Sequence, residues 1–272
     1  MLKTDITTTT TNRIDSLFQK KTNGVLTIYF TAGFPKLEDT RRILVELSDA
    51  GTDLIEIGMP FSDPIADGET IQYSNKIALD NGMSIKKMFE QLEGIRNENG
   101  KIKETPIVLM GYLNPVLQFG IEEFCKKCQE IGIDGLILPD LPLFEYELTY
   151  KAVFEKYGLH TIFLITPQTS EERIKKIDEL SNGFVYMVSS NSTTGNTTEK
   201  SAEVSEKQSD YFKKIKSLQL KNPTQIGFGI SDKKSFEQAT SYANGAIIGS
   251  AFIRHLESGK AVKEFVESVI GH

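Results

Sequence analysis

Short runs of aliphatic, β-branched and aromatic residues alternate along this chain with longer segments whose apolar residues recur at helical spacing. The alternation begins at Val25 and continues through most of the sequence. The apolar runs of strand length are LTIYF, LIEIG, IVLMG, GLILP, TIFLI, FVYMV, TQIGF and AIIGS. Because these runs are apolar on both faces and are joined by helical segments, they predict eight parallel strands with crossover helices.

Several of the units share one pattern, in which a helix ends near Gly or Asn and a strand follows at once. The pattern is seen in AGTDLIEI, IGIDGLIL, YGLHTIFLI and YANGAIIG. Stacked βα units of this number, in about 250 residues, favour a closed (β/α)8 TIM barrel, and a doubly wound open sheet is the alternative. No Pro/Gly/Ser-rich linker divides the chain, so we expect one domain over residues 1–272.

The N-terminal part of the chain precedes the first predicted strand. Residues 1–11 include a threonine-rich run, and we expect them to be mobile. Asn12 then stands at the N-cap position of a helical segment that carries Ile14, Leu17 and Phe18 on one face. We expect this additional helix to cover the floor of the barrel.

Composition excludes some classes of protein. The chain is 39% hydrophobic and 25% charged, which is ordinary for a soluble globular protein. A formal net charge of -6 and a pI near 5.3 argue against a surface for nucleic acids. The first residues lack a long apolar core, and no later stretch has the roughly 20 apolar residues of a membrane span, so we expect a cytoplasmic protein.

The two cysteines have a structural interpretation. Cys125 and Cys128 lie near the apolar stripe of a helical segment that also carries Phe124 and Ile131, which favours packing within a core. A zinc site needs further ligands, and the three histidines do not stand in a spacing that supplies them. We therefore predict no metal.

The run LIEIG carries one charged residue, Glu56, between apolar neighbours. Ionised carboxylates are rarely buried without a partner or a task, because desolvation disfavours the charged form and raises the pKa. An internal ion pair is the alternative, but none of the strand runs contains Lys or Arg. Since chemistry in such barrels gathers at the carboxyl ends of strands, we predict that Glu56 is catalytic. Asp63 and Asp67 in the following loop are candidates too, although Asp before Pro or Gly is also common in turns.

Glycines mark the ends of the last two predicted strands. They lie in GFGIS, Gly227 to Ser231, and in IGSAF, Ile248 to Phe252, and each leads into a helical segment. Glycine lets a phosphate approach the backbone, and the N–H groups of a helix N-terminus attract an anion. TIM barrels often bind phosphate at this place, so we predict a phosphate site here.

A long polar segment without apolar periodicity follows the sixth strand, from Ser189 to Asp210. Loops of this length are commonly lids or disordered excursions. Because the segment adjoins the predicted phosphate site, we favour a closing lid, with Thr194 and Gly195 placed to reach a ligand.

Taken together, these motifs resemble the tryptophan synthase alpha subunit family. The matching segments are YFTAGFP, LIEIGMPFSDPIADG, LMGYLNP, LPDLP, YMVSSNSTTG, GFGIS and IGSAF, which occur in the family's order from about Asn12 to the end of the chain. The resemblance implies a carbon-carbon lyase of tryptophan biosynthesis. Its reaction is the retro-aldol cleavage of indole-3-glycerol phosphate to indole and glyceraldehyde 3-phosphate, with the indole passed to a beta subunit.

The resemblance also implies roles for individual residues. Glu56 is the general acid/base that protonates the indole ring carbon and serves proton transfer at the side-chain hydroxyl. Asp67 accepts a hydrogen bond from the indole N–H, and Thr194 on the closing loop bonds to Asp67. The phosphate cradle comprises Gly195, Gly229, Gly249 and Ser250. The walls of the indole pocket comprise Tyr29, Met110, Ile137, Leu164, Tyr186 and Phe228, for which ordinary barrel packing is the alternative.

The family implies a partner as well. The resemblance indicates an alpha2beta2 heterotetramer with a beta subunit that uses pyridoxal phosphate to join indole with serine. It implies no cofactor in this chain. It places the loops that carry Asp63 and Asp140 at the interface, where solvated turn acids are the alternative.

Three other functions stay open at this point. A Schiff-base aldolase is disfavoured, because no predicted strand or its immediate end carries Lys. A non-catalytic scaffold for a beta subunit is disfavoured by the presence of both Glu56 and Asp67. A stand-alone indole-releasing lyase is not separable by sequence. Three departures from the family pattern are Glu69, where Pro is common, Ser192, where a lid glycine is usual, and the conservative variations Tyr29 and Met110 in the pocket.

Overall fold

The strands of the described chain form one parallel sheet. The computed structural model describes residues 11–64, 67–188, 206–227 and 229–271. The strands are β1 (Val25–Thr31), β2 (Leu54–Gly58), β3 (Ile107–Met110), β4 (Gly135–Ile137), β5 (His160–Ile162), β6 (Leu164–Ile165), β7 (Val185–Val188), β8 (Thr224–Gly227) and β9 (Gly245–Ile248). Their order in the sheet is β5-β4-β3-β2-β1-β9-β8-β7-β6, and every strand pairing is parallel.

The sheet closes at the fifth apolar run of the sequence. The two outermost strands of the sheet, β5 and β6, are consecutive pieces of chain separated only by Phe163. Because β5 pairs with β4 and β6 pairs with β7, this segment joins the two ends of the sheet into a barrel. The predicted TIM barrel is confirmed, and the open sheet is excluded. The assignment of the whole chain to one domain stays a prediction.

The prediction that TIFLI forms one unbroken strand is wrong. The strand begins at His160 and is interrupted at Phe163, whose carbonyl oxygen accepts a hydrogen bond of 3.0 Å from the N–H of Tyr186. Barrel closure staggers the register between neighbouring strands. The same segment therefore pairs with one neighbour at its start and with the other at its end.

Helices link successive strands and surround the barrel. The α-helices are α1 (Arg13–Lys20), α2 (Asp39–Ala50), α3 (Glu69–Asp80), α4 (Ile85–Leu92), α5 (Leu113–Phe119), α6 (Ile121–Ile131), α7 (Leu143–Glu145), α8 (Lys151–Lys156), α9 (Glu171–Leu180), α10 (Glu206–Ser217), α11 (Lys233–Thr240), α12 (Ser250–Glu257) and α13 (Val262–Ile270). Short 3-10 helices span Ile95–Asn97 and Lys101–Lys103, and a π-helical segment, Tyr146–Tyr150, joins α7 to α8. The side chains of Ser84, Ser170 and Asp232 cap α4, α9 and α11. None of the helices in the described part of the chain is long and apolar enough to span a membrane.

Helix α1 lies against the amino end of the barrel, as the sequence predicts. Its N-cap residue Asn12 accepts a hydrogen bond from the N–H of Ile14 at 2.9 Å and donates to the carbonyl oxygens of Asp134 and Gly158 at 2.8 and 3.1 Å. Ile14 is fully buried, and a Cβ at Gly183 would lie 2.9 Å from its Cγ2 atom. Since Asp134 and Gly183 precede β4 and β7, the additional helix covers the floor of the barrel.

Two segments predicted to be mobile or to form a lid fall largely outside the described residues. Of the N-terminal segment 1–11, residues 1–10 lie outside the description, and of the predicted lid, residues 189–205 do. The predicted loop from Ser189 to Asp210 is wrong at its end, because α10 begins at Glu206. The first turn of α10 is polar, so the sequence shows no apolar period there. The helix continues to Tyr211, which is buried.

The two cysteines lie in α6, where the helical pattern places them. Cys125 and Cys128 are free thiols, and both are fully buried in the core. Burial raises the pKa of Cys125 to about 12. Both side chains therefore act as small apolar groups in the packing of this helix.

Candidate active site

The interior face of β1 identifies which side chains point into the barrel. Thr27 donates a hydrogen bond of 2.7 Å from its hydroxyl to the side-chain oxygen of Gln225 on β8, a strand that does not neighbour β1 in the sheet. Such a bond crosses the interior. Tyr29 is two residues further along β1 and shares this face. Because Tyr29 is in register with Glu56 on β2, Glu56 also points into the barrel.

Glu56 is a buried carboxyl group without a local partner. It is 0% exposed, and neither of its oxygens has a hydrogen-bond partner among the described residues. Burial, and then the negative charge of Asp67, raise the pKa of Glu56 from 4.5 to about 8. At neutral pH this carboxyl therefore holds a proton that it can donate.

Asp67 lies in the loop between β2 and α3, and its environment differs from that of Glu56. Its carboxylate accepts hydrogen bonds from the hydroxyl of Tyr112 at 3.4 Å and from the side-chain amide of Asn75 at 3.5 Å. Burial raises the pKa of Asp67 to about 6, while the bonds from Tyr112 and Asn75 act in the opposite direction. The two carboxyl groups thus differ in protonation at pH 7, with Asp67 ionised and Glu56 neutral.

Two tyrosines lie beside these carboxyl groups, and two glycines make room for them. A Cβ at Gly58 would lie 2.0 Å from the hydroxyl oxygen of Tyr29, and a Cβ at Gly227 would lie 2.3 Å from that of Tyr186. Burial raises the pKa of both tyrosines well above the usual range, and the charges of Asp67 and Glu56 add to the effect. Both phenols therefore lie close to the carboxyl pair.

The N-terminus of α12 is one of the two helix ends at which the sequence predicts a phosphate site. Gly249 is the N-cap of this helix and has no side-chain capping bond, so the first turn offers backbone N–H groups to an anion. Gly229, which follows β8, has φ +78, and a Cβ there would meet no described atom within 4 Å. Helix α11 differs, because the side chain of Asp232 already caps its N-terminus. Of the two predicted helix ends, that of α12 therefore suits a phosphate.

Comparison with known proteins establishes the family. A family model described as Tryptophan synthase alpha chain matches residues 16–270. The chain belongs to the tryptophan synthase alpha chain family. The tryptophan synthase alpha chain of Christiangramia forsetii is 57% identical over 260 residues, which cover 95% of this chain and 98% of that protein. That of Flavobacterium johnsoniae is also 57% identical over 260 residues, with 95% of this chain and 99% of that protein covered.

Solved structures agree with this assignment. Tryptophan synthase subunit alpha from Legionella pneumophila superposes with a TM-score of 0.81 at 32% identity, covering 96% of this chain and 97% of that chain. A chain of the tryptophan synthase complex from Pyrococcus furiosus gives a TM-score of 0.80 at 34% identity, covering 92% of this chain and 99% of that chain. The resemblance inferred from the motifs and the function of a tryptophan synthase alpha chain are confirmed, and the family implies a lyase activity.

The structure brings most of the described pocket residues predicted for this tryptophan synthase alpha chain to the carboxyl ends of strands. Met110 ends β3 and Ile137 ends β4, and both are buried. Leu164 on β6 is in register with Tyr186 on β7. Phe228, Thr194 and Gly195, which the sequence assigned to the pocket wall, the lid and the phosphate cradle, lie outside the described residues. The roles of all these residues stay predictions.

The two acids predicted at the partner interface are both exposed. The side chain of Asp63 accepts a hydrogen bond of 2.6 Å from the hydroxyl of Ser62. The side chain of Asp140 accepts hydrogen bonds of 2.9 and 3.1 Å from the N–H of Leu113. Asp140 therefore also orders the start of α5, in addition to any role at an interface.

The sequence interpretation missed the residues that hold Asp67. Tyr112 stands in the motif LMGYLNP, two residues after the end of β3, and this position near a strand end was a usable signal. The ring of Phe61 stacks on Tyr112 with a centroid distance of 4.9 Å, so the loops after β2 and β3 support each other. The sequence gave no signal for Asn75, because its contact with Asp67 depends on which face of α3 is turned towards the loop.

The raised pKa of Glu56 has a consequence for stability. The folded chain keeps a proton that the unfolded chain releases above pH 4.5, so stability falls as the pH rises from 4.5 to about 8. A shift of this size corresponds to about 5 kcal/mol at most. We expect the free energy of unfolding of Glu56→Gln to rise relative to that of the wild type by a few kcal/mol as the pH goes from 5 to 8.5, measured by urea unfolding. Glu69→Gln, an exposed control, is expected to show no such trend. A constant difference across this range would contradict the burial of an unpaired carboxyl.

Proposed function

We propose that this chain cleaves indole-3-glycerol phosphate by a retro-aldol reaction into indole and glyceraldehyde 3-phosphate. The observation that carries the proposal is the state of Glu56, a fully buried carboxyl with a pKa raised to about 8 and a second carboxyl group nearby. Such a group suits proton transfer to a weakly basic ring carbon. The lyase activity of the family supports the same class of reaction.

The proposed reaction moves two protons and breaks one carbon-carbon bond. Glu56 first gives its proton to ring carbon C3 of the indole. The resulting carboxylate then takes the proton of the hydroxyl on the adjoining side-chain carbon. As that carbon becomes the aldehyde of glyceraldehyde 3-phosphate, the bond to C3 breaks and its electron pair returns to the ring. Glu56 ends the cycle protonated, as it began.

Asp67 contributes a fixed negative charge in the proposed reaction. Protonation at C3 places a positive charge on the ring, centred on its nitrogen. Asp67 has a pKa of about 6, so it is ionised at neutral pH and accepts a hydrogen bond from the ring N–H. An ionic acceptor aimed at a developing charge stabilises the transition state more than the ground state.

The remaining contacts in the proposal concern binding. The rings of Tyr29 and Tyr186 and the apolar side chains of Met110 and Ile137 suit the flat indole body. The N-terminus of α12 at Gly249 suits the phosphate. The two carboxyl groups thus act between an aromatic wall and an anion site at the mouth of one barrel.

The two carboxyl groups determine the expected pH dependence of kcat/KM. Below pH 6 Asp67 gains a proton and loses its charge, and above pH 8 Glu56 loses the proton that it must donate. We expect a bell-shaped profile with limbs near these two values, measured from about pH 5 to about pH 9.5. The Asp67→Asn variant is expected to lack the acidic limb. A profile that keeps rising above pH 8 would contradict the acid role of Glu56.

A beta subunit is the partner in this proposal. One solved relative is described as a tryptophan synthase complex. In this chain Leu117 on α5 and Phe144 and Leu148, which follow Asp140, are 44%, 70% and 73% exposed. Large exposed apolar side chains are candidates for contact with a partner protein. We assign this surface and the neighbouring acids to contact with the beta subunit, in an alpha2beta2 assembly.

Asp63 provides a test of the partner surface. We expect Asp63→Asn to reduce the stimulation of indole release by the beta subunit by about fivefold to tenfold, because a charged contact at an interface is lost. The KM of the isolated chain for its substrate is expected to be unchanged. Asp80→Asn, which removes an exposed acid at the end of α3, serves as the control. Equal losses in stimulation and in substrate binding would count against an interface role.

No cofactor enters the proposed cleavage. Both proton transfers are supplied by Glu56, and pyridoxal phosphate belongs to the beta subunit, where it joins indole with serine. Within the described ranges, no group of three or more His, Cys, Asp or Glu side chains is arranged to hold a metal ion. A cytoplasmic location completes the proposal.

The proposed function is tested by assaying indole release from indole-3-glycerol phosphate by the purified chain, with and without a beta subunit. Strong stimulation by the beta subunit is the expected result. Turnover without stimulation would indicate a stand-alone lyase. An absence of turnover in both assays would indicate a non-catalytic scaffold and would overturn the proposal. A Schiff-base mechanism is disfavoured because none of the strands β1 to β9 contains Lys.

A further inference from the structure

Asparagine stands directly before glycine at five places in this chain, outside the candidate active site. The pairs are Asn23–Gly24, Asn81–Gly82, Asn99–Gly100, Asn182–Gly183 and Asn244–Gly245. Because glycine has no Cβ, its backbone nitrogen is accessible to the side chain of the preceding asparagine. An Asn-Gly pair is therefore open to deamidation, unless the fold prevents it.

Deamidation needs freedom on both sides of the pair. The glycine nitrogen loses its proton and attacks the side-chain carbonyl carbon of the asparagine. A bond from this nitrogen to the carbonyl carbon forms, the bond from that carbon to the amide nitrogen breaks, and ammonia leaves. Water then opens the cyclic imide at one of its two carbonyl groups and gives aspartate or isoaspartate. A hydrogen bond that holds the asparagine side chain or the glycine N–H opposes the attack, because the bond must break first.

Hydrogen bonds hold both members of the pair at Asn81. The side-chain amide of Asn81 donates to the carbonyl oxygens of Gly33 and Pro35 at 2.9 and 3.0 Å. The N–H of Gly82 donates to the carbonyl oxygen of Leu79 at 2.8 Å. The side chain and the attacking nitrogen are thus both engaged in the folded chain.

Two further pairs are held in other ways. The side chain of Asn244 donates to the carbonyl oxygen of Thr22 at 2.8 Å and accepts from the N–H of Thr224 at 2.8 Å. Asn182–Gly183 is half-buried beneath α1, where a Cβ at the glycine would lie 2.9 Å from the Cγ2 atom of Ile14. This close packing opposes the backbone movement that ring closure needs.

The pairs at Asn23 and Asn99 differ from the other three. Both asparagines are exposed, and within the described ranges neither side chain takes part in a hydrogen bond. The N–H groups of Gly24 and Gly100 likewise donate to no described residue. In these two pairs, therefore, no bond in the described part of the chain has to break before the glycine nitrogen attacks.

We infer that Asn23 and Asn99 are sites of spontaneous deamidation in the folded chain, and that the fold protects the other three pairs. Asn23 precedes β1 and Asn99 precedes β3, so both lie at the amino ends of strands. A partner bound at the carboxyl ends of the strands leaves them accessible. Each conversion adds one negative charge to this end of the barrel, and isoaspartate also adds one carbon to the main chain.

Peptide mapping by mass spectrometry of the whole chain tests the inference. The folded protein is kept in a mildly alkaline buffer, which favours loss of the glycine N–H proton, and conversion of amide to acid is followed at each pair. The same measurement on the chain unfolded in urea gives the rate set by local sequence, by which each folded-chain rate is divided. We expect these ratios to be at least about tenfold higher at Asn23 and Asn99 than at the other three, because those must first break hydrogen bonds or packing contacts.

Asn23→Gln and Asn99→Gln are the matched control variants. Glutamine keeps the neutral amide but closes its larger ring far more slowly, so each variant should lose the conversion at its own position and keep it at the other. Equal ratios at all five pairs would overturn the inference. A folded chain in which none of the pairs reacts, while the unfolded chain does, would overturn it as well.

Discussion

Glu56→Gln is expected to lower kcat for indole release by about 10⁴-fold or more, while the dissociation constant of the substrate changes by less than about threefold. The amide keeps the shape of the side chain but can neither donate a proton to ring carbon C3 nor accept one from the side-chain hydroxyl. Because Glu56 performs both transfers, its loss affects two steps. Its burial without a partner means that no surrounding ion pair is broken by the change.

The control for this experiment is Glu69→Gln. Glu69 is exposed at the start of α3, two residues after Asp67, so the substitution removes a carboxylate close to the site without touching the barrel interior. Rates close to those of the wild type are expected for this variant. Wild-type rates in Glu56→Gln, or similar losses in both variants, would contradict the acid/base assignment.

Asp67→Asn is expected to lower kcat by about 10²-fold to 10³-fold, as the loss of one group that stabilises a developing charge implies. The substitution has a second effect, because the negative charge of Asp67 is one cause of the raised pKa of Glu56. We therefore also expect the basic limb of the pH profile to move below pH 8. The two effects are measured together from kcat as a function of pH.

A neutral residue at position 67 keeps the volume of the side chain, so Tyr112 and Asn75 retain a polar neighbour. Asp80→Asn, at the end of α3, removes an exposed charge and is the control. If Asp67→Asn reduced kcat while the basic limb stayed in place, the two carboxyl groups would not interact as the structure indicates.

The local features of the fold were accessible from the sequence. LIEIG was predicted as a buried strand and is observed as β2, because strand propensity and apolar character are properties of neighbouring residues. The same argument singled out Glu56, since a carboxylate in such a run needs a reason. The α1 helix was predicted from its cap and its apolar stripe, which are local as well.

Features that depend on distant contacts were not accessible. The interruption at Phe163 arises from barrel closure, in which one segment changes its neighbour between β4 and β7. The pairing of Asn75 with Asp67 depends on how α3 docks, and so does the hydrogen bond between the hydroxyl groups of Thr31 and Ser74, which are 43 positions apart in the sequence. Neither contact leaves a periodic signal in the chain.

The phosphate site shows an intermediate case. Glycines at the ends of β8 and β9 predicted it, but the sequence pattern treated the helices that follow as equivalent. The structure distinguishes them, because Asp232 caps α11 while α12 has no side-chain cap. A carboxylate already placed at a helix N-terminus accepts hydrogen bonds from the N–H groups that an anion would use. Its negative charge also repels the anion. The assignment of the phosphate to α12 stays a proposal.

The central claim is that Glu56 is a neutral acid at physiological pH, and infrared difference spectroscopy of the free chain tests it most directly. Spectra of the wild type are compared with those of Glu56→Gln while the pH is raised. We expect a protonated-carboxyl band that is present at pH 7 and disappears with a midpoint of about 8. If the band were already absent at pH 6, Glu56 would be ionised in the resting protein, and the account of its role as the proton donor would be wrong.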